Sequence, residues 1–205
     1  MNKPQIILVG AGGHCHSCLD VIEQQNIYEI AGLIDKETEI GSLHLGYKVI
    51  GTDADLSRLS KSYSYALITI GQIESSENRV RLYEKVQSLG FKLPIIISPR
   101  AYVSKNSIVG DGSVILHGAI VNAGSAIGNN CIINTSSLIE HDVSVGNHCH
   151  ISTGAILNGD VTIGNGSFVG SGVTIKQGVR IGKECIVGMG LTVRHDLADY
   201  TRFIG

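Results

Sequence analysis

The segment that decides the fold runs from residue 127 to residue 145 and reads IGNNCIINTSSLIEHDVSV. An aliphatic residue recurs in it at every sixth position, and the same spacing continues without a gap in both directions. The full series is Ile97, Val103, Val109, Ile115, Val121, Ile127, Ile133, Ile139, Val145, Ile151, Leu157, Ile163, Val169, Ile175, Ile181, Val187 and Val193. A period of six cannot be a helix face, whose period is about 3.6 residues. Such hexads predict short parallel strands separated by turns.

Three successive hexads are expected to close one triangular coil, so that residues eighteen positions apart stack on each other. The aliphatic residue of each hexad would then point inward. Glycines recur at the same interval, and we interpret them as one corner of the coil, where glycine permits a positive φ at no cost. These glycines are Gly110, Gly128, Gly146, Gly164 and Gly182. The length of the repeat predicts about five stacked coils.

The part of the chain before the repeat has a different pattern, in which apolar strands alternate with helices. This alternation predicts a small parallel sheet with packed helices. We therefore expect two domains, residues 1–93 and residues 94–205. The elements predicted in the first domain and at its end are strands Gln5–Val9, Ile30–Ile34, Ala66–Ile70 and Leu93–Ile97, helices Cys15–Gln25 and about 76–89, and a short helix after Thr52.

A glycine-rich turn, GAGGH at residues 10–14, joins the first strand to the first helix. Its backbone N–H groups would lie at a helix N-terminus, where a phosphate can bind. Asp35, at the end of the second strand, could accept a hydrogen bond from a ribose hydroxyl or a base. Cys15 stands where the dinucleotide fingerprint has a third glycine, so a full dinucleotide site is not expected. The turn is equally compatible with a plain strand-to-helix connection.

Composition and charge exclude several classes of function. The net charge of −2 on 205 residues argues against general nucleic-acid binding. No apolar run approaches the roughly 20 residues that cross a bilayer. The five cysteines are odd in number and no secretory signal is evident, which predicts a cytoplasmic location. Cys15 and Cys18 have no second pair to complete a zinc site, and we expect them to be buried small hydrophobes.

The stretch at residues 134–142, which ends in Glu140-His141-Asp142, departs from the glycine, asparagine, aspartate and serine residues of most turn positions in the repeat. Acyl transfer to an amine needs a base that titrates near neutrality, and a neighbouring carboxylate strengthens such a base. His141 and Asp142 could form this pair, although a lone histidine in a turn is also common on solvated surfaces. Gly159 would stack one coil above His141 and could donate its N–H to an oxyanion. His150 is expected near a different corner, so the two histidines would meet only across a threefold interface.

The string NTSSLIEHD at residues 134–142, followed by His150, Gly154 and Gly159, together with GAGGH at residues 10–14, resembles the bacterial sugar O/N-acyltransferase family. That family includes the UDP-4-amino-sugar acetyltransferases of bacillosamine pathways and the sialic acid O-acetyltransferases. The resemblance covers nearly the whole chain. It implies a mixed fold, with an N-terminal Rossmann-like α/β domain that binds a nucleotide sugar, followed by a left-handed parallel β-helix of hexapeptide repeats that carries the acyltransferase activity.

The function implied by this resemblance is acetyl-CoA-dependent N-acetylation of a nucleotide-linked 4-amino-deoxy sugar in surface-glycan biosynthesis, with UDP as the expected nucleotide. It makes His141 the general base and Asp142 its modulator, where the bacillosamine enzymes carry glutamate. It also implies a homotrimer with acetyl-CoA between two β-helices, and no metal. The implied acetyl-CoA contacts are Asn134, His150, Gly159, Ser171 and Met189. The implied nucleotide-sugar contacts are Gly12, Gly13, His14, Asp35, Lys36 and Gly71.

Three alternatives remain open from the sequence. O-acetylation of a sialic acid or another sugar hydroxyl would use the same base. A zinc hydratase resembling γ-type carbonic anhydrase would gather His141, His148 and His150 at a subunit interface, although the paired spacing of that family is missing. A non-catalytic protein would bind the sugar nucleotide without cleaving a thioester.

Overall fold

The computed structural model describes residues 3–205, and its contacts divide the chain into two compact units. The first unit comprises the described residues up to Gly71 together with Asn78–Pro94. The second comprises Gln72–Glu77 together with Ile95–Gly205. The division at Pro94 lies one residue from the predicted boundary. No feature of the sequence pattern indicated that residues 72–77 belong with the second unit.

The first part of the chain forms a five-stranded sheet with helices. The strands are β1 (Gln5–Val9), β2 (Glu29–Ile34), β3 (Leu43–His44), β4 (Tyr47–Gly51) and β5 (Tyr65–Ile68), and the helices are α1 (Gly13–Gln25), α2 (Leu56–Leu59) and α3 (Glu77–Ser88). The strand order is β3-β4-β2-β1-β5, with every pair parallel except β3 and β4. The predicted strand–helix alternation is confirmed. Strands β3 and β4 were not predicted, and the strand predicted over Leu93–Ile97 shortens to Ile96–Ile97, which pairs in a sheet of the second unit.

The core of this unit follows from the apolar pattern of β1 and α1. Residues 6–9 of β1 are buried, as expected for a parallel strand covered on both faces. Helix α1 buries Cys15, Cys18 and Ile22 on one side. Burial raises the pKa of the Cys15 thiol to about 11, so this cysteine is not a thiolate at neutral pH. Within residues 3–205, no helix has the length and apolarity needed to cross a membrane.

The second unit is a parallel β-helix whose two-residue strands form three sheets, called here faces 1, 2 and 3. Face 1 consists of β6 (Ile96–Ile97), β9 (Val114–Ile115), β12 (Ile132–Ile133), β15 (His150–Ile151), β18 (Phe168–Val169), β21 (Ile186–Val187) and β23 (Arg202–Phe203). Face 2 consists of β7 (Tyr102–Val103), β10 (Ile120–Val121), β13 (Leu138–Ile139), β16 (Ile156–Leu157), β19 (Thr174–Ile175) and β22 (Thr192–Val193). Face 3 consists of β8 (Ile108–Val109), β11 (Ala126–Ile127), β14 (Ser144–Val145), β17 (Thr162–Ile163) and β20 (Arg180–Ile181).

The register of these faces is set by the repeat. From β6 to β22 each pair of neighbouring strands is parallel and eighteen residues apart, as Val121 pairs with Ile139 and Ile139 with Leu157, whereas β21 and β23 are sixteen residues apart. The second residue of each strand joins one continuous apolar core. Strands β6–β20 form five coils, and β21–β23 continue the stack. The fold is therefore the predicted one, a Rossmann-like α/β domain followed by a left-handed parallel β-helix.

The turns between faces form three columns, which we call corner A after face 1, corner B after face 2 and corner C after face 3. The glycines spaced by eighteen residues line corner C, but the predicted reason for them is wrong, because their φ values are not positive. A Cβ on Gly128 would lie 2.7 Å from the backbone of Gly146 and Asn147 in the next coil. Glycine is therefore required by the close approach of stacked coils.

Positive φ recurs instead with the period of the hexad itself, three residues after each inward aliphatic side chain from Val109 to Val187. The residues are Gly112, Gly118, Gly124, Asn130, Ser136, Asp142, His148, Gly154, Asp160, Gly166, Gly172, Gly178, Glu184 and Gly190. Each of the fourteen turns from Gly112 to Gly190 thus contains one left-handed residue, and Asp142 is the one in the turn of the candidate base.

Candidate active site

The candidate base, His141, lies at corner B shortly after β13. Its Nδ1 atom is 2.9 Å from Oδ2 of Asp142. Asp142 has a φ of 61°, a left-handed conformation that aspartate adopts more readily than most residues. Because an ionised carboxylate can only accept a hydrogen bond, Nδ1 of His141 carries the proton. The other ring nitrogen, Nε2, therefore presents a lone pair.

The carboxylate also changes the strength of this base. The hydrogen bond to Asp142 raises the pKa of His141 above its ordinary value of 6.5, and the charges of Asp142, Glu140 and Asp160 act in the same direction. Desolvation opposes them. The side chains of His141 and Asp142 are 58% and 66% exposed, so the ring is open to a substrate. The pair is thus an accessible base that is stronger than an isolated histidine.

Two glycines leave room for the pair. Gly159 stacks one coil above His141, and a Cβ there would lie 2.6 Å from both Cε1 and Nε2 of the imidazole. Gly124 stacks one coil below Asp142, and a Cβ there would overlap Oδ1 of the carboxylate. A side chain at either position would displace one member of the pair, since real Cβ atoms do not approach other atoms so closely.

Gly159 also offers a hydrogen-bond donor beside the base. The N–H groups on either side of it are used within the stack, where Asn158 donates to the carbonyl of Ile175 and Asp160 to the carbonyl of His141. Among the residues that the structure describes, the N–H of Gly159 itself has no acceptor. A backbone N–H in this place can stabilise an oxyanion that forms close to Nε2 of His141.

Glu140 holds the start of the turn, a role that the sequence analysis missed. Its Oε2 accepts hydrogen bonds from Nδ2 of Asn122 at 3.1 Å and from the N–H of His141 at 3.4 Å. The hydroxyl of Ser125 donates to the Glu140 carbonyl at 2.6 Å. Asn122 and Glu140 are eighteen residues apart. The period that stacks Gly159 on His141 could therefore have identified this pair as well.

The residues expected to contact acetyl-CoA divide between two corners. Asn134, Ser171 and Met189 lie at corner A, and Gly159 lies with His141 at corner B. Met189 is 79% exposed, so its side chain is available to a ligand. Face 2 separates the two corners within one chain.

His150, also expected to contact acetyl-CoA, lies on face 1 in strand β15. Only 7% of its surface is exposed. Nδ1 is 2.7 Å from the carbonyl oxygen of Gln72, and Nε2 is 3.1 Å from Nδ2 of Asn134. The ring therefore contacts Asn134 directly, while His141 lies beyond face 2 at the other corner.

The residues expected to contact the nucleotide sugar begin at the glycine-rich turn. Gly12 is the N-cap of α1 and Gly13 its first residue, and a Cβ at either position would have no other atom within 4 Å. His14 follows in the first helical turn, and a Cβ on Gly71 would lie 3.7 Å from the Cβ of His14. The N-terminus of α1 is thus open, as a phosphate-binding helix end must be.

Asp35 has a structural role that the sequence analysis did not foresee. Its Oδ2 accepts a hydrogen bond from the N–H of Ala11 at 2.5 Å, and its Oδ1 accepts one from the N–H of Lys36 at 2.7 Å. The carboxylate thereby holds the glycine-rich turn against the end of β2. Each carboxylate oxygen has a second lone pair, so Asp35 can still accept a hydrogen bond from a ribose hydroxyl.

A groove of about 530 Å³ lies at the carboxyl ends of β1 and β2. Asp35 and Lys36 line it together with Gly10 and Arg81, whereas the predicted contacts in the helical turn at residues 12–14 do not. The groove has the volume of a small-molecule site, and α/β sheets bind ligands at this edge.

Comparison with known proteins identifies the family. Residues 5–86 match the family model described as the PglD N-terminal domain, and residues 160–194 match that described as the hexapeptide repeat of succinyl-transferase. The acetyltransferase domain of PglB from Neisseria gonorrhoeae, solved with acetyl coenzyme A, is 33% identical, with a TM-score of 0.90 over 97% of this chain and 95% of that chain. The chain belongs to the bacterial hexapeptide-repeat sugar acyltransferase family.

Two further solved structures extend this comparison. Perosamine N-acetyltransferase from Caulobacter crescentus, solved as a histidine-to-asparagine variant with CoA and GDP-perosamine, is 31% identical, with a TM-score of 0.90 over 95% of this chain and 90% of that chain. WeeI from Acinetobacter baumannii is 20% identical, with a TM-score of 0.72 over 93% of this chain and 94% of that chain, and shows the shared fold alone. No match was found among curated proteins.

The three histidines of the zinc-hydratase alternative have separate partners in this member of the acyltransferase family. His141 pairs with Asp142, Nδ1 of His148 lies 3.0 Å from Nδ2 of Asn130, and His150 lies on face 1. Within the described residues 3–205, no group of three or more His, Cys, Asp or Glu side chains could hold a metal ion.

We expect Asp142→Asn to move the acid limb of activity to lower pH and to reduce kcat less than loss of His141 does. A general base must be neutral, so the rate falls as the pH falls through the pKa of His141. Asp142 raises that pKa, and replacing its carboxylate lowers it again. Asparagine tolerates the left-handed φ of this position, so the turn should persist.

The measurement is the pH profile of kcat/KM for the wild type and Asp142→Asn. Asp160→Asn is the matched control, because Asp160 also has a left-handed φ of 59° and its side chain acts on the pKa of His141 by charge alone. Asp160→Asn should shift the midpoint of the acid limb less than Asp142→Asn does. An acid limb that stays in place, or moves to higher pH, in Asp142→Asn would show that Asp142 does not strengthen the base.

Proposed function

We propose that this protein transfers the acetyl group of acetyl-CoA to the amino group of a nucleotide-linked 4-amino-deoxy sugar, with His141 as the general base. The observation that carries the proposal is the hydrogen bond of 2.9 Å between His141 Nδ1 and Asp142, which leaves Nε2 as the acceptor. Membership of the family makes the chain an acetyl-CoA-dependent sugar N-acetyltransferase. The proposal adds the base, the class of sugar and the nucleotide.

The comparisons support this choice of substrates. The PglB domain was solved with acetyl coenzyme A, and the Caulobacter enzyme with CoA and GDP-perosamine. The resemblance of the sequence to the bacillosamine enzymes favours UDP as the nucleotide, whereas the Caulobacter enzyme was solved with a GDP-sugar. Acetyl-CoA and nucleotide sugars are cytoplasmic metabolites, so we also propose that the protein is located in the cytoplasm.

In the proposed mechanism, the neutral amine of the sugar attacks the thioester carbonyl carbon, and a C–N bond forms. Nε2 of His141 accepts the proton that the amine loses, while Asp142 stabilises the resulting imidazolium. The N–H of Gly159 donates to the oxygen on which negative charge develops. The C–S bond then breaks, and His141 returns its proton to the departing thiolate. The products are the amide and the free thiol of CoA.

The experiment that tests this function is a screen of UDP- and GDP-linked amino sugars with acetyl-CoA, in which release of the CoA thiol is followed. The proposal expects thiol release that depends on an amino-sugar nucleotide. Binding of sugar nucleotides without thiol release for any of them would favour the non-catalytic alternative.

The glycine-rich turn is proposed to bind the phosphates of the sugar nucleotide, and Gly13→Val tests this. A Cβ on Gly13 meets nothing within 4 Å, so the fold should tolerate valine, yet the side chain would cover the N-terminus of α1. We expect KM for the sugar nucleotide to rise by about 10-fold or more, with kcat and KM for acetyl-CoA nearly unchanged.

Steady-state kinetics with each substrate varied in turn provides the measurement. Ser17→Val, at an exposed position one turn further along α1, is the matched control for a β-branched residue in this helix. If Gly13→Val and Ser17→Val had the same KM for the sugar nucleotide, the phosphates would bind elsewhere.

We further propose that the active enzyme is a homotrimer in which corner A of one β-helix meets corner B of its neighbour. Asn134 and His141 lie on opposite sides of face 2 within one chain, so a site that uses both needs two chains. The first residue of each strand on face 2 points outward, and in the central coils these residues are Ile120, Leu138 and Ile156. The matching positions in the same three coils of face 3 are Ala126, Ser144 and Thr162. An apolar face between the two corners supports an interface at this place.

Sedimentation velocity tests the oligomer. The wild type is expected to sediment at three times the mass of the chain, and Leu138→Glu on face 2 should dissociate it and abolish activity. Ser144→Glu, at the same register on face 3, should leave both unchanged. A wild-type monomer with full activity would overturn the proposal.

A further inference from the structure

The segment Gln72–Glu77 belongs to the β-helix unit, although the chain reaches it from the end of β5. Its first and fifth residues, Gln72 and Ser76, are buried, with 3% and 2% of their surfaces exposed. Nε2 of Gln72 donates to the carbonyl of Gly166 at 2.8 Å, and the hydroxyl of Ser76 donates to the carboxylate of Glu184 at 3.0 Å. Both contacts anchor the segment at corner C. The proposed mechanism does not use this segment.

The same segment fixes the proton of His150. The carbonyl oxygen of Gln72 lies 2.7 Å from Nδ1 of His150. A carbonyl can only accept, so Nδ1 must carry a proton. His150 is buried, and its ring lies against that of Phe168 with the centroids 5.2 Å apart and the ring planes at 70°. These contacts therefore fix both the position of the imidazole and the proton on its Nδ1.

The second ring nitrogen completes the arrangement. Nε2 of His150 is 3.1 Å from Nδ2 of Asn134. The amide of Asn134 has a defined orientation, because its Oδ1 accepts a hydrogen bond from the N–H of Thr135 at 2.7 Å. Its NH₂ group must therefore donate to Nε2, which is unprotonated. A proton on Nε2 would place two donors against each other, so the neutral Nδ1–H tautomer is the one that satisfies the contacts with Gln72 and Asn134.

We propose that Gln72 is a positioning residue of the acetyl-CoA site. Its side chain anchors the segment to Gly166, and its carbonyl holds His150 as the Nδ1–H tautomer. Nε2 of His150 then accepts from the amide of Asn134 at corner A and, together with the N–H of Thr135, fixes the direction of that amide. The relay thus sets the direction of a polar group that acetyl-CoA is expected to contact. This inference rests on the proposed function for the role of Asn134, whereas the tautomer of His150 follows from the contacts alone.

Gln72 was not identified as a functional residue from the sequence, where only its neighbour Gly71 was selected. Its side-chain Oε1 is buried and has no hydrogen-bond partner among the described residues. The opposite orientation of the amide would bring two oxygens together at Gly166. The hydrogen bond from Nε2 to the carbonyl of Gly166 therefore sets the orientation of the Gln72 side chain. Removal of this hydrogen bond should make the Gln72 backbone more mobile, including the carbonyl that accepts from His150.

The experiment is ¹⁵N NMR of the histidine rings in the full chain, combined with calorimetric titration of CoA. In the wild type, His150 is expected to show a protonated Nδ1 and an unprotonated Nε2. Gln72→Ala should mix in the other tautomer and weaken CoA binding by about 3- to 10-fold, as expected when one hydrogen bond no longer fixes the geometry. Glu74→Ala is the matched control, because it removes only the exposed ion pair of the same segment with Arg202.

A second variant tests the same contacts in case Gln72→Ala does not fold. Asn134→Asp replaces the donor that faces Nε2 with an acceptor and should put a proton on Nε2 of His150. A wild-type His150 with its proton on Nε2, or a Gln72→Ala protein with the tautomer and CoA affinity of Glu74→Ala, would overturn the inference. Failure of the wild type to bind CoA would count against the proposed function instead, and the ring protonation would still decide the relay.

Discussion

Replacement of His141 by alanine is expected to lower kcat by about 10²- to 10⁴-fold, the range for loss of a general base. KM for both substrates should change little, because His141 acts on the proton that moves during the reaction. The side chain is 58% exposed and lies in a turn, so it supports no part of the core and the fold should persist. Stopped-flow or steady-state thiol release gives the rate, and circular dichroism checks the fold.

His195→Ala is the matched control for this variant, because His195 is an exposed histidine of the same β-helix. It should retain nearly full activity. If the kcat of His141→Ala stayed within about threefold of the wild type, His141 would not be the base, since even a modest general base contributes more.

Gly159→Ala is expected to lower kcat by about 10²-fold, which is the effect of displacing a catalytic group by about 1 Å. An alanine Cβ would lie 2.6 Å from Cε1 and Nε2 of His141, so the imidazole must move. Because the ring is exposed, it can rotate away from the added methyl group. The substitution should therefore lower kcat and leave the free energy of unfolding nearly unchanged. Thermal unfolding and kcat, measured on the same preparation, separate the two effects.

A double variant provides the control for Gly159. If alanine at residue 159 acts through His141, adding Gly159→Ala to His141→Ala should lower kcat little further. A full additional loss of about 10²-fold would show that the added methyl group disturbs more than His141, for example the bound thioester, because alanine keeps the backbone N–H. Normal activity of Gly159→Ala alone would show that the imidazole can make room for a side chain at residue 159 without loss of catalysis, which contradicts this prediction.

The β-helix could be predicted from the sequence nearly to the residue, because its register is set by a strict period. The six-residue spacing places the inward aliphatic side chains, and stacking at eighteen residues places Gly159 over His141. The same period did not predict which turn residues adopt a positive φ. It identified the glycines of corner C, yet the left-handed residue of each turn lies two positions later and in six turns is not a glycine.

The site was only partly predictable, because some contacts have no periodic signal. Asp142 beside His141 is adjacent in sequence and was readily identified. Asp35 was selected as a ligand contact, but its bonds to the N–H groups of Ala11 and Lys36 depend on how β2 ends. The contact of Gln72 with His150 joins residues 78 positions apart with no repeat to relate them. Only the structure reveals that Gln72 and His150 are in contact.

The central claim is transfer of acetyl to an amine, and a matched pair of acceptors tests it most directly. One acceptor is the nucleotide-linked amino sugar that gives the fastest thiol release, and the other carries a hydroxyl in place of that amine. Mass spectrometry and NMR of the products, with isotopically labelled acetyl-CoA, identify the bond formed. The account predicts an N-acetyl amide with the first acceptor and little product with the second. An acetyl ester formed at comparable or greater rate on the hydroxyl acceptor would contradict it and make the protein an O-acetyltransferase.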